Sequence, residues 1–90
     1  MGIKTGNVGE NEALSEEEFD ERLRELPPSA KLVAKVLETD APLSQREVAE
    51  ESLLPDRTVR YAINRLEKAE LVESRYSFHD ARKRVYALAQ

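Results

Sequence analysis

From Leu14 onward apolar residues recur every three or four positions, a helical rhythm, and after Glu70 the interval falls to two. Leu14, Phe19, Leu23 and Leu26 open this pattern. Ser15 and Glu18 form a capping box, with Leu14 and Phe19 at the positions of a hydrophobic staple, so the spacing predicts a helix over 16–26. Pro27-Pro28 ends it, because a proline forces its predecessor away from helical angles. A second helix is expected from Pro28 or Ser29 to Glu38, burying Leu32, Val33, Val36 and Leu37, and then a turn at residues 39–42.

Leu43 is expected to form a strand of one or two residues. Ser44 and Glu47 repeat the capping box, with Leu43 and Val48 as the staple pair, and predict a short helix over 45–52. Leu53-Leu54-Pro55 breaks it, and a fourth helix follows over 56–69 with Val59, Ala62, Ile63 and Leu66 on its buried face. The two-residue period then takes over. Val72, Ser74, Tyr76 and Phe78 are expected to face one way and Leu71, Glu73, Arg75 and Ser77 the other. Residues 79–82 read as the turn and Lys83 to Ala89 as the return strand. Met1 to Ala13 holds all three glycines and few apolar residues, and is expected to be a disordered tail.

A short helix, a tight turn, a second helix and a hairpin, in that order, predict a winged helix-turn-helix: α+β, mainly helical, with a wing of two or three strands. The expected organisation is a tail (1–13), an amino-terminal helix (14–27) and a winged domain (28–90). Ninety residues suffice for one domain. The charge is −4 overall but unevenly placed: −5 over residues 1–26, −3 over 27–56 and +4 over 57–90. Surface charges separated by more than a Debye length of about 8–10 Å are largely screened, so the basic last third is free to face a polyanion. Charge alone also fits a merely dipolar solvated surface.

The residues carry a closer resemblance. LSQREVAEESLLPDRTVRYAINRLEKAELVES (Leu43 to Ser74) resembles the reader segment of MarR-type winged-helix transcription regulators, and DARKRVYALA (Asp80 to Ala89) resembles their Asp-x-Arg wing, with Arg82 two residues and Leu88 eight residues after Asp80. Small archaeal members look nearest. The resemblance covers residues 29–89 and departs from the family pattern at Glu70, where a glycine is usual, and at Ala89, where threonine is usual. It implies a sequence-specific regulator that binds double-stranded DNA, with helix 56–69 in the major groove and wing 79–84 on the minor groove or backbone.

The fourth helix has the composition for that task. Opposite its apolar stripe stand Arg57, Tyr61, Asn64, Arg65 and Lys68, with Arg60 on the flank. Arginine bonds guanine through two parallel donors, asparagine both donates to and accepts from adenine, and tyrosine packs on sugar or a thymine methyl. Thr58 is placed for a phosphate, as are Ser44, Gln45 and Arg46 at the start of the third helix, although capping alone suffices to explain Ser44. Arg82, Lys83 and Arg84 form a cationic wing tip suited to a narrow minor groove, with Asp80 expected to pair with Arg82 or Arg84, and Arg75 is a backbone contact from the first wing strand. A solvated helix face and a tip charged for solubility are the plainer readings of the same residues.

Other chemistry is not expected. His79 is the only histidine and there is no cysteine, so no metal site or cofactor is indicated and His79 reads as a turn residue. Tyr76, Phe78 and Tyr86 are expected in core or cross-strand packing, in preference to single-strand stacking. No residue set converges as an active site, so no enzyme is expected. No apolar run approaches the ~20 residues of a membrane span, and Met1 to Gly9 lacks a signal-peptide core, so a cytoplasmic protein without membrane contact is expected. MarR-type proteins generally continue into a carboxyl-terminal dimer helix beside which a ligand pocket often lies. The chain reaches only Gln90, so no small-molecule ligand is expected, and a homodimer is expected through Phe19, Leu23 and Leu26. That stripe could equally pack on its own domain. The contrasting reading of the whole chain is a winged-helix module that docks on another protein without specific DNA binding.

Overall fold

In the computed structural model, which describes residues 14–89, the chain runs through α1 (Glu16–Arg24), α2 (Pro28–Asp40), β1 (Leu43–Ser44), α3 (Gln45–Ser52), α4 (Asp56–Lys68), β2 (Val72–Tyr76) and β3 (Arg84–Leu88). The expected tail lies outside the described residues. Among the described residues no helix is long and apolar enough to cross a membrane.

Both capping boxes form. Ser15 Oγ accepts from the Glu18 amide at 3.1 Å while the Ser15 amide donates to Glu18 Oε1 at 3.1 Å. The Ser44 amide donates to Glu47 Oε1 at 2.8 Å, and Ser44 Oγ accepts from the Glu47 amide at 3.2 Å. α2 starts differently, with Pro27 at the cap and Pro28 in the first turn, where a missing N–H leaves no bond unmade. The turn between α3 and α4 is left-handed at Leu53, with φ of 63°, and its amide still closes the helix on the Ala49 carbonyl at 2.9 Å.

α2 is the centre of the packing, lying against α1, α3, α4 and β3. Its buried stripe is Ala30, Val33, Ala34 and Leu37, spaced as one helical face. This corrects the sequence expectation: Leu32 is 41% exposed and Val36 only half-buried, because the partner elements sit over the alanine side of the helix. Leu37, Val48, Val59, Leu66 and Leu71 complete the centre, each essentially sealed from solvent. Burying such a side chain contributes about 1.5–3 kcal/mol.

The sheet order is β1-β3-β2, antiparallel throughout, with Leu43 opposite Tyr86, Ser44 opposite Val85, Val72 opposite Leu88 and Tyr76 opposite Arg84. β3 is therefore the central strand, and it buries both Val85 and Tyr86. Two residues of β1 are enough to tie the start of α3 to the wing, since Ser44 both pairs with Val85 and caps the helix.

One expectation fails at the wing, and at the amino end the structure chooses between two readings. β2 stops at Tyr76, so Phe78 is not a strand residue; it sits in the wing loop, 99% exposed, with no surface of the described residues facing it. Tyr76 is exposed and takes the cross-strand contact of the two placements expected for it, and Tyr86 is the one of the three aromatics in the core. At the amino end, Phe19 and Leu26 are buried against the molecule's own core and Leu23 is half-buried. Of the two roles open to that stripe, packing on its own domain accounts for Phe19 and Leu26.

The corner between α4 and β2 shows how a glutamate replaces glycine. Glu70 has φ of 62°, and the Leu71 amide reaches back to the Leu66 carbonyl at 2.9 Å while the Glu70 amide bonds the Glu67 carbonyl at 2.9 Å. That double closure ends the helix and places Leu71 on Leu66. Arg22 of α1 clasps the corner, donating from Nη1 to the Ala69 carbonyl at 2.9 Å and lying 3.3 Å from Glu70 Oε1.

Candidate nucleic-acid interface

α3, the Leu53 turn and α4 form the helix-turn-helix. The inner face of α4 is Val59, Ala62, Ile63 and Leu66, all buried, and this rotation decides what points outward. Arg57, Arg60, Tyr61, Asn64 and Lys68 are exposed, while Thr58 and Arg65 are half-buried at the edges. Among the described residues none of Arg57, Arg60, Arg65 and Lys68 has a carboxylate partner within salt-bridge distance. Acid stays at the ends: Asp56 opens the helix, Glu67 lies in its last turn, and Glu70, just beyond it, is engaged by Arg22.

One arginine on α4 is held in place. Arg65 Nη1 donates to the Tyr61 hydroxyl at 2.7 Å and its guanidinium lies 5.7 Å from the ring centroid, the i, i+4 spacing that puts two side chains on one face. The wing repeats the device across strands. Arg84 sits 5.6 Å from the Tyr76 centroid, and the phenol oxygens of Tyr76 and then Tyr86 favour its charged form further. Neither pair was foreseen, although the four-residue spacing of Tyr61 and Arg65 is visible in the sequence.

Asp80 organises the wing tip. Its Oδ1 accepts from the Arg82 amide at 3.0 Å and lies 3.6 Å from Arg82 Nε, so of its two possible partners it takes Arg82. The Lys83 amide bonds the Asp80 carbonyl at 2.9 Å, and the Ser77 amide bonds the Lys83 carbonyl at 2.6 Å, closing the loop. Lys83 Nζ lies 3.7 Å from Glu47 Oε2, a contact between wing and α3 that sequence spacing could not reveal. The Glu47 carboxyl is held below the ordinary glutamate range, first by the Ser44 amide, against a burial effect that raises it, then by the Ser44 hydroxyl and Lys83.

The start of α3 joins the two cationic elements. Gln45 and Arg46 border an open hollow shared with Lys83 and Arg84 of the wing, and a second hollow shared with Asp56 at the start of α4. Arg46 is exposed and lies 3.8 Å from Glu50, and Gln45 is half-buried. Ser44 is different. It is buried and its hydroxyl caps α3, so the capping role accounts for it. Arg75 is exposed on β2, with Tyr76, Phe78 and Lys83 around the adjoining hollow. Among the described residues no group of histidine or acid side chains is arranged to hold a metal ion.

Residues 34–73 match the family model for winged helix-turn-helix DNA-binding domains. Among curated proteins none matches the chain. Solved structures share the fold. One is a MepR–DNA complex from S. aureus, with 18% identity, a TM-score of 0.66, and coverage of 80% of this chain and 61% of that one. A second is BpsR of Bordetella bronchiseptica, whose DNA binding is regulated by 6-hydroxynicotinic acid: 23% identity, TM-score 0.68, 80% and 53% covered. A third is the PcaV transcriptional regulator of Streptomyces coelicolor in complex with its natural ligand: 22% identity, TM-score 0.67, 80% and 52% covered. All three are MarR-family regulators, and this chain spans between about half and three-fifths of their length.

Proposed function

With the winged helix-turn-helix fold as premise, we propose that the protein is a sequence-specific transcription regulator that binds double-stranded DNA as a homodimer. The observation that carries this reading is the outer face of α4, where Arg57, Arg60, Asn64 and Lys68 stand exposed, the three cations without a salt-bridge carboxylate among the described residues, opposite a fully buried stripe. In this reading α4 enters the major groove, where Arg57 and Arg65 address guanine and Asn64 adenine. Gln45, Arg46 and Thr58 fix the register on phosphates, and residues 79–84 lie on the minor groove or backbone. Arg82 exchanges its exposed contact with Asp80 for DNA, and Arg75, Lys83 and Arg84 add to the electrostatic attraction.

Two copies double the bases read and the phosphates neutralised, which suits a two-fold site. Phe19 and Leu26 face inward, so of the three residues expected at the homodimer seam Leu23, half-buried on α1, is the one left open to a second copy. The function is binding without catalysis, and a cytoplasmic location goes with this reading.

The test is retention of duplexes selected from random DNA, measured across salt for the wild type and for Arg57→Ala, Arg65→Ala and Arg82→Ala. Loss of a bidentate base contact is expected to cost about 1–3 kcal/mol and relax one position. Loss of a phosphate contact should weaken all sequences alike and lower the salt slope by about one. Binding indifferent to salt, or alanine variants equal to wild type, would overturn the reading.

A further inference from the structure

We propose that Phe78 is an apolar wedge that enters the minor groove and unstacks a base step, so that the wing bends the DNA it contacts. The proposal rests on the DNA-binding reading above and adds a residue and a mechanical consequence to it. Phe78 is 99% exposed, the most exposed large hydrophobic side chain among the described residues. Its one ring partner is His79, edge-on with centroids 5.7 Å apart, itself an exposed side chain on the same loop. A phenylalanine so placed contributes nothing to the core, and leaving it in water forgoes about 1.5–3 kcal/mol of burial.

The loop that carries it is built. Ser77 to Lys83, Lys83 to Asp80, Arg82 to Asp80 and His79 to Ser77 hydrogen bonds fix the chain on both sides of Phe78. The ring is therefore presented from a braced tip, which lowers the entropy lost on insertion. Its surroundings select the partner. Arg75, Arg82, Lys83 and Arg84 against Asp80 and no other acid give residues 75–84 a charge of +3. Phe78 borders a hollow with Arg75, Lys83 and Glu47, and an apolar side chain on so cationic a segment matches a polyanion with an apolar interior; stacked bases behind phosphates are such a partner. The β1–β3 pairs Leu43–Tyr86 and Ser44–Val85 tie the start of α3 to the wing, so a wing on the minor groove and α4 in the neighbouring major groove belong to one reader. Apolar wedges in minor grooves kink duplexes by about 20–90° and favour the easily unstacked pyrimidine–purine steps.

The experiment uses the full chain and 30-base-pair duplexes (an arbitrary length, about three helical turns) selected by the wild type from random DNA. Two signals are read: end-to-end energy transfer for bending, and 2-aminopurine placed at successive positions for unstacking. Wild type is expected to shorten the end-to-end distance and brighten one or two adjacent probe positions. Phe78→Ala should abolish both signals and weaken binding by about ten-fold, while the salt slope, set by phosphate contacts, stays unchanged. Phe78→Leu, still apolar, should keep most of each. A wild type that enriches no duplex would overturn the DNA-binding reading and the wedge with it. A wild type that binds, with Phe78→Ala bending and brightening equally, would overturn the wedge alone. In a parallel binding measurement on anionic lipid vesicles, a Phe78→Ala defect seen there and not on duplexes would overturn it as well.

Discussion

Arg22→Ala should lower stability by about 2 kcal/mol, more than an exposed arginine usually contributes, because its side chain holds the one corner where a glutamate stands in a left-handed conformation. The bond from Nη1 to the Ala69 carbonyl is 2.9 Å long and partly buried. Charge-assisted hydrogen bonds contribute about 1.5–3 kcal/mol, and with the side chain 40% exposed the lower end applies. The ion pair with Glu70, whose side chain is 80% exposed, adds about 0.2–1 kcal/mol. For a domain of this size about 2 kcal/mol corresponds to a fall in Tm of roughly 8–16 °C. Urea and thermal unfolding followed by circular dichroism measure it, with an unchanged urea dependence showing that the denatured state is not altered. Glu70→Ala separates the two contributions, since it removes the ion pair and keeps the carbonyl bond. Arg22→Ala in that background should still cost about 1 kcal/mol or more, and the coupling between the two sites should shrink in salt. A single Arg22→Ala variant within about 0.3 kcal/mol of wild type would refute the clasp, being well below the lower bound for such a bond.

Ser44→Ala should cost about 1 kcal/mol in chemical unfolding through the lost α3 cap, and Ser44→Gly only a few tenths of that cap's worth. Leu53→Gly should raise stability by about 0.5 kcal/mol, since relief of a left-handed non-glycine residue, about 1–2 kcal/mol, exceeds the entropy glycine adds to the unfolded chain. Acid titration of stability should separate two glutamates on α3. Glu47 has a lowered pKa, so its contribution is present above the ordinary glutamate value and lost as pH falls through the folded one; Glu47→Gln is therefore less stable than wild type at pH 7 and converges with it in acid. Glu51 has a raised pKa, chiefly from its hydrogen bond with Asp40, then burial and the repulsion of Asp40, Glu47 and Glu50, so its ionisation opposes folding. Glu51→Gln is accordingly expected to gain stability on wild type as pH rises from the ordinary glutamate value through the folded pKa.

The helical stretches were legible because capping chemistry and apolar spacing are local. Ser15 with Glu18 and Ser44 with Glu47 mark helix starts that the structure reproduces, and the stripe of α4 is the one its spacing dictates. The exposed ridge of α4 followed from that stripe alone, because a helix with one buried face has its other face assigned by geometry. The length of the wing was less legible. Alternation continues through Phe78, and only the ladder between β2 and β3 decides that pairing stops at Tyr76 and Arg84.

The sequence by itself determined which segments are helical, where they begin and which side chains α4 turns outward, since these depend on neighbours within four residues. Tertiary structure alone decided that Phe19 and Leu26 belong to the molecule's own core, that Leu32 stays outside it, that Lys83 meets Glu47 and that Arg22 closes the corner at Glu70. Those contacts join residues far apart along the chain, and no local period encodes which of several apolar or charged partners a folded neighbour will bring within reach.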